Sequence, residues 1–419
     1  MIRYIKHPNH RIILPSEMRL LLLCLDDPNL PIHRVKILRL LKEELVSWEV
    51  FYDITVKNKL TPLVYRALKK LPSDQVDQDT FDKLAKDYQF IQYYSLLLTS
   101  ELLHIFNALK EQHISAISIK GPALSYTLYG DISMRLSRDL DILADPSKIR
   151  HIDRLLIKSG YTRDQKSSAL TPKQEKQYVK TYAHYTYLNY NTGVQIELHW
   201  VLSNDYYDIP FINYRNRQEE ISLLGQTLTV LKEEENLVYL IYHGSKHAWE
   251  RLVWICDVYH MIKYKPLDWD YIIERAGSLG IMHMLGQTFL LLSLLFHYRP
   301  ERELPLSPKN KRLARRLARL SLPFILSVHR EADIDDRPLS GDYRKYRMYW
   351  NYGAGRKLRY FISLLVPKVE DFHSVRISDH CFFLYYIYHL ISIPKIILSY
   401  GKDLRWPGEG KKEDCNEEI

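Results

Sequence analysis

The sequence predicts an α+β chain, with a small α/β core embedded in a mostly helical polypeptide. Two observations predict it. Long stretches at both ends repeat apolar residues at helical spacing. Only one section, about residues 111–205, interleaves short β-branched or alternating runs with short helices. The composition suits this: 46% of the 419 residues are hydrophobic and 26% charged, a globular balance with enough apolar material for two or three domains.

At the N-terminal end, Met18–Cys24 is leucine-rich and Ile32–Trp48 is apolar at helical spacing. Pro62 breaks that pattern and restarts it toward Leu68, because proline is tolerated in a first helical turn. Phe90–His113 reads as a long amphipathic helix with Leu96, Leu97, Leu103, Ile105, Phe106 and Leu109 on its apolar face. Ile114–Ile119 is a strand candidate, followed by Lys120-Gly121-Pro122 and a short helix over Ala123–Tyr129. Asp139-Leu140-Asp141-Ile142-Leu143 alternates as a half-buried strand does. Asp145 caps a helix that begins at Pro146 and stops at Gly160. Tyr182–Asn189 and Val194–His199 form two strands joined at Asn191-Thr192-Gly193. Helices resume with Glu233–His247 and Trp249–Lys263. Lys309–Arg319 is basic without an acid, Arg337–Arg359 is basic and aromatic, and the tail from Lys411 is polar. The resulting division is 1–110 helical, 111–205 α/β core, 206–300 helical, and 301–419 basic and helical.

The net charge of +9 suits an anionic ligand or surface without selecting one. Cys24, Cys256, Cys381 and Cys415 lie far apart with no CxxC pair, which excludes a zinc ribbon and argues against a disulfide framework. The basic start, Met1–Pro8, leads into no signal-peptide pattern. Leu285–Phe296 is shorter than the roughly 20 residues a bilayer needs, and His389, Pro394 and Lys395 interrupt Cys381–Tyr400. No stable membrane insertion is expected, and the reduced cytoplasm is the default location.

Asp139 and Asp141 carry the functional argument. Residues two apart on a strand share a face, so both carboxylates point one way and Leu140 and Ile142 the other. Paired carboxylates repel unless a cation lies between them, and hard divalent ions accept such oxygens along with phosphate oxygens. Glu197, flanked on its face by Gln195 and His199, is a third acid for such a site. Alone, Asp-x-Asp also describes two solvated acids. Upstream, Gly121 allows a backbone to approach phosphate at a helix N-terminus, Lys120 adds a point charge and Arg135 a forked donor. Lys-Gly-Pro by itself is also an ordinary turn.

The run Ile119-Lys120-Gly121-Pro122-Ala123-Leu124, Tyr129, Arg135 and Asp139-Leu140-Asp141 resembles the nucleotidyltransferase superfamily with a DNA polymerase β-type core. It is most similar to a bacterial branch of uncharacterised nucleotidyltransferases. Glu197-Leu198-His199-Trp200 and His243-Gly244-Ser245-Lys246-His247-Ala248-Trp249, with Leu252, Trp254 and Asp257, match two further blocks of that branch. The resemblance implies a small mixed-sheet nucleotidyltransferase core. It also implies an NTP substrate and two Mg²⁺ ions, or Mn²⁺, held by Asp139, Asp141 and Glu197. Lys120, Gly121, Arg135 and Lys246 would bind nucleotide. Attack by an acceptor hydroxyl on the α-phosphorus would release pyrophosphate, with Glu197 on the acceptor side. The acceptor could be a small molecule, a peptide or an RNA end. Gly121-Pro122 departs from the wider superfamily's Gly-Ser, and the next hydroxyl is at Ser125.

His199, His243, His247 and Asp257 are acceptor-side or orienting candidates. His243 and His247 share a helix face, but Gly244 stands where a zinc protease has glutamate, and helix packing explains the pair equally. Trp249 and Trp254 read as core or as base-stacking platforms. The basic runs with Tyr343, Tyr346, Tyr349 and Trp350 fit an RNA backbone or a solvated face. A non-catalytic nucleotide- or RNA-binding protein that uses this basic surface remains the alternative.

Overall fold

In the computed structural model the described residues are 14–26, 31–202, 214, 216–300, 302–327, 341–351 and 353–392. The basic start, the tail with Cys415, Arg337–Ser340, and Pro394 with Lys395 lie outside them.

Four short helices come first: α1 (Ser16–Leu25), α2 (Pro31–Glu43), α3 (Trp48–Lys57) and α4 (Thr61–Leu68). The single helix expected over Ile32–Trp48 is two. α2 stops at Glu43, and Ser47 caps α3 by accepting from the Val50 amide at 3.4 Å. Between α3 and α4, Asn58 donates to the Ile54 carbonyl at 2.7 Å and accepts from the Leu252 amide at 2.9 Å. That bolts the turn onto a helix far along the chain, and Lys59 follows with φ +58°.

α5 (Gln78–Glu111) starts three turns before its expected beginning, because Asp77 caps it by accepting from Thr80 N at 2.9 Å. Its buried stripe runs Ile91, Ser95, Leu98, Leu102, Ile105 and Leu109, alternating steps of four and three. Leu96 falls off that stripe and is 55% exposed, contrary to the sequence reading.

The sheet is built from β1 (Ala116–Ser118), β2 (Asp139–Ala144), β3 (Thr162–Arg163), β4 (His184–Leu188), β5 (Gln195–His199), β6 (Gln218–Leu223) and β7 (Gln226–Leu231). Four helices interrupt it: α6 (Gly121–Tyr129), α7 (Ile149–Lys158), α8 (Gln165–Ser168) and α9 (Pro172–Thr181). The order is β3-β4-β5-β2-β1-β7-β6, with β2 in the middle. β2 runs parallel to β5 and antiparallel to β1, so the sheet is mixed. The β6–β7 hairpin lies beyond residue 205, where the sequence reading placed only helices. Its turn has Leu224 and Gly225 at positive φ, +50° and +79°. Leu-Gly lacks the Asn-Gly or Asp-Gly signature of that turn, which is why the hairpin was not legible.

The helices that follow are α10 (Glu233–Lys246), α11 (Leu252–Tyr264), α12 (Trp269–Ser278), α13 (Met282–Phe296), α14 (Pro308–Leu326), α15 (Gly341–Trp350), α16 (Ala354–Ser363) and α17 (Val369–Ser374). The helix expected from Trp249 starts instead at Leu252. Ala248 and Trp249 take φ of +53° and +57°, which folds the Trp249 ring back over α10. A Cβ on Gly244 would lie 2.2 Å from that ring, so glycine is required there by contact. Trp249 and Trp254 are both buried in the core.

Among the described residues three apolar cores result, the smallest of them Ile117, Ile119, Leu143, Leu231 and Tyr239 with Leu202 and Tyr214 on the other side of the sheet's centre. α1–α4 pack with α10, α11, α13 and α14. Leu140, Ile142, Ile196 and Leu198 pack from the sheet against α5 and α7. Leu285 and Leu292 in α13 are buried in the helical core, and among the described residues no helix is long and apolar enough to cross a membrane.

Candidate active site

Strand alternation and register assemble the carboxylates. Leu140 and Ile142 are 1% exposed and face α5 and α7, which turns Asp139 and Asp141 to the other face. The parallel pairing of β2 with β5 sets Asp139 opposite Gln195 and Asp141 directly opposite Glu197. The antiparallel hairpin then sets His184 opposite His199 and Thr186 opposite Glu197. Asp139, Asp141, Glu197, His199 and His184 therefore occupy one continuous face.

Two cations lie among these acids. Lys120 Nζ is 3.6 Å from Asp141 Oδ2 and 5.5 Å from the centre of the Tyr239 ring on α10. Against its burial, the charges of Asp141, Tyr239, Asp139 and Glu197 raise the Lys120 pKa. His199 Nε2 lies 3.1 Å from Asp141 Oδ1 and 3.3 Å from Glu197 Oε2. Burial opposes its charge, but those two carboxylates push it up to about 9. Asp141 is buried yet held below the usual carboxylate range by Lys120 and His199. Burial first, then the charges of Asp141 and Glu197, push Asp139 up to about 6. Burial and His199 push His184 down to about 4, so it is neutral near pH 7.

Gly121 opens α6 beside the acids with φ +68°. A Cβ there would meet only ordinary contacts at 3.7 Å, to the Asp139 carbonyl and Leu140, so handedness and not room calls for glycine. Ser125, the first hydroxyl after the Gly-Pro turn, is occupied: it donates to the Asp131 carbonyl at 2.7 Å and accepts from Arg135 N at 3.0 Å. It thus holds the loop that carries Arg135.

Arg135 and Asp257 pair with each other. Arg135 Nε donates to Asp257 Oδ2 at 2.8 Å, its other arm reaches Ser137 Oγ at 3.2 Å, and Tyr129 donates to Asp257 Oδ1 at 3.3 Å. Arg135 is 6% exposed and Asp257 0%, so the pair locks the core to α11. Asp257 orients Arg135, not the α10 histidines.

His243 of α10 and His247, its C-cap, pack against each other with their rings tilted. The His243 and His247 rings are 4.9 Å apart and both contact Trp254, at 5.2 and 5.3 Å. Burial and the charges of Lys120, His247 and Lys246 hold His243 well below the usual histidine range. Lys246 is half-buried on the same helix, and its charge is felt at His184.

Three residues that sequence reading passed over belong to this surface. His184 faces His199 across the hairpin, and only strand register shows it. Tyr239 covers Lys120. Lys59, half-buried in its left-handed turn, is pushed down to about 7 by burial, Arg251 and Arg138, with Asp139 pulling the other way.

Elsewhere, Lys311, Arg312, Arg315, Arg316 and Arg319 of α14 and Lys345 of α15 line an open groove of about 720 Å³. Arg316 lies 3.8 Å over the Tyr349 ring. Tyr346 and Trp350 are fully buried, and Tyr346 donates to the Ser245 carbonyl at 2.6 Å, so these two rings serve packing and not base stacking.

Residues 44–297 match a family described as uncharacterised nucleotidyltransferase. Among solved structures, an antigenic nucleotidyltransferase-like protein from Paracoccidioides brasiliensis matches at 16% identity and a TM-score of 0.30, over 49% of this chain and 94% of that one. No curated protein matches.

Proposed function

The chain belongs to that nucleotidyltransferase family, and from this premise we propose that it transfers a nucleoside monophosphate from an NTP to an acceptor hydroxyl or phosphate. The observation that carries the reading is the register: Asp141 opposite Glu197, with Asp139 on the same face. The donor set fits hard divalent ions. Three carboxylates share one face, and even with Lys120 and Lys59 acting on it Asp139 keeps a raised pKa, which marks an unmet need for positive charge.

Asp139, Asp141 and Glu197 would hold Mg²⁺ or a similar ion. Such an ion, when bound, neutralises the triphosphate and lowers the acceptor hydroxyl's pKa. The chain's residues do the rest. Lys120, fixed between Asp141 and Tyr239, presents a charge at the edge of the carboxylates, and the amides opening α6 face phosphate beside it. Glu197, held below the usual range against its burial mainly by the hydrogen bond from His199, stays ionised and can take the acceptor's proton. The acceptor oxygen bonds to the α-phosphorus, the bond to the β-phosphate bridging oxygen breaks, and pyrophosphate leaves. Arg135 acts indirectly, by fixing the loop before Asp139.

The test is thermal stabilisation by each of the four NTPs with and without Mg²⁺, followed by pyrophosphate release with trial acceptors. A Mg²⁺-dependent shift that is absent from Asp139→Asn supports the reading, and no shift from a folded protein refutes it. The basic groove favours a second reading, a catalytically degenerate nucleotide- or RNA-binding protein. RNA binding with a steep salt dependence, unchanged in Asp139→Asn, would select it.

A further inference from the structure

His184, Glu197 and His199 form a donor set of different chemistry from the Asp139–Asp141 pair beside it. Their donor atoms all lie within 4.8 Å of one another. Glu197 Oε2 is 3.3 Å from His199 Nε2 and 3.8 Å from His184 Nε2. Two ligands about 2.1 Å from one tetrahedral ion lie about 3.4 Å apart, so little movement is needed for all three to share an ion. The backbone already holds them in place, with His184 and His199 cross-strand partners and Glu197 two residues before His199. His199 is 7% exposed, with its Nε2 also 3.1 Å from Asp141 Oδ1 on the neighbouring strand, while the His184 side chain is 32% exposed. One imidazole is thus buried at the base of the set and the other lies at its entrance.

Imidazole is a poor ligand for Mg²⁺, which keeps oxygen ligands and water, whereas two histidines and a glutamate suit zinc-class ions. Asp139 and Asp141 offer only oxygen. We propose that the Glu197 side of the face is a separate metal position, made by His184, Glu197 and His199, that takes Zn²⁺ or a cation of its class, while Asp139 and Asp141 take Mg²⁺. Its catalytic meaning rests on the nucleotidyltransferase reading, but the binding of the ion does not. The two sites would make the centre mixed: a hard ion beside the triphosphate and a softer one, with an open position, on the acceptor side.

The experiment uses the full chain stripped with EDTA and no nucleotide. Zn²⁺ binding is measured by calorimetry and by metal retained after dialysis against excess Mg²⁺. Co²⁺, as the spectroscopic probe, is read by visible absorption. The expected result is one retained Zn²⁺ per chain and an intense Co²⁺ band of a four- or five-coordinate site. His184→Ala and the milder His184→Gln should weaken Zn²⁺ by at least about tenfold and alter the band. Asp139→Asn should leave both unchanged, and thermal melts check that each variant is folded. No retained Zn²⁺, or equal binding in both His184 variants, overturns the proposal. That outcome is separable from failure of the functional reading: Mg²⁺-dependent NTP stabilisation would then persist without a zinc-class ion. A normal Co²⁺ band with no NTP binding would leave the metal site standing and remove the nucleotidyl-transfer role.

Discussion

Two clusters in this molecule are built from the same materials and end differently. In one, Asp257 meets Arg135, Tyr129 and, through the arginine, Ser137. One acid faces one forked cation, hydroxyls fill the remaining positions, and burial is nearly complete. In the other, Asp139, Asp141 and Glu197 share Lys120 and His199, and Asp139 is left with a pKa of about 6. Saturation separates the two. The first cluster is closed and holds the fold, whereas the second is short of positive charge and open to a cation. The sequence reading treated Arg135 and Asp257 as site residues like the others, since charge and position alone carry no information about partners.

The largest expected effect strikes the closed cluster. Asp257→Ala leaves the Arg135 charge buried without its carboxylate and should lower stability by about 3–5 kcal/mol in urea unfolding. The double variant Arg135→Met/Asp257→Leu should recover most of it, because it removes both charges. If Asp257→Ala unfolds like the parent protein, the pair is no lock and the contrast collapses.

Next comes the open cluster. Asp139→Asn should reduce pyrophosphate release at least about 100-fold while leaving the melting temperature of the metal-free protein unchanged or higher. Removing a charge that burial and the neighbouring carboxylates oppose relieves repulsion, so loss of activity and loss of stability should part company here. A variant that keeps its turnover would show that the acids do not serve catalysis.

The third prediction concerns pH. The folded-state pKa of Asp139 is raised from 3.8 to about 6. The folded protein therefore favours the protonated carboxyl, and the metal-free chain loses stability as pH rises from about 4 through 6, the loss being complete by about pH 7. A divalent ion relieves that loss only once the carboxylate is ionised. Mg²⁺ should therefore raise the melting temperature by a few degrees at pH 7.5 and by much less at pH 5. Asp139→Asn should abolish that dependence, and this control removes the contribution of Lys59, which titrates in a neighbouring window.

The smallest effect sharpens the boundary of the open cluster. Lys59 comes from the helical region yet lies within electrostatic reach of Asp139. Lys59→Ala should weaken Mg²⁺-NTP binding by about tenfold, roughly 1.4 kcal/mol, in a calorimetric titration, without lowering stability. Unchanged affinity would confine the site to the sheet and α10.

Several features of the fold were legible residue by residue. The alternation of Asp139–Leu143 aimed both aspartates one way, Asp145 and Gly160 bounded a helix, and Asn191–Gly193 closed a hairpin. Other elements were not. The β6–β7 hairpin turns on Leu224-Gly225, a pair without a recognisable signal. α5 gained three turns from a cap at Asp77. α11 begins three residues late because Ala248 and Trp249 turn at positive φ and fold the Trp249 ring back onto Gly244.

By itself the sequence determined the local periodicities: which strands alternate, where glycine must supply a left-handed turn, and that acids two residues apart share a face. These follow from the backbone of a few successive residues, whose geometry does not depend on the rest of the chain. Only the tertiary structure decided partnership. The parallel register sets Asp141 against Glu197, the hairpin brings His184 to His199, Asp257 closes on Arg135, and Asn58 carries Lys59 to α11. Register, burial and charge balance arise from contacts between segments distant in the chain, and they separate the acids that need a cation from the acid that already has one.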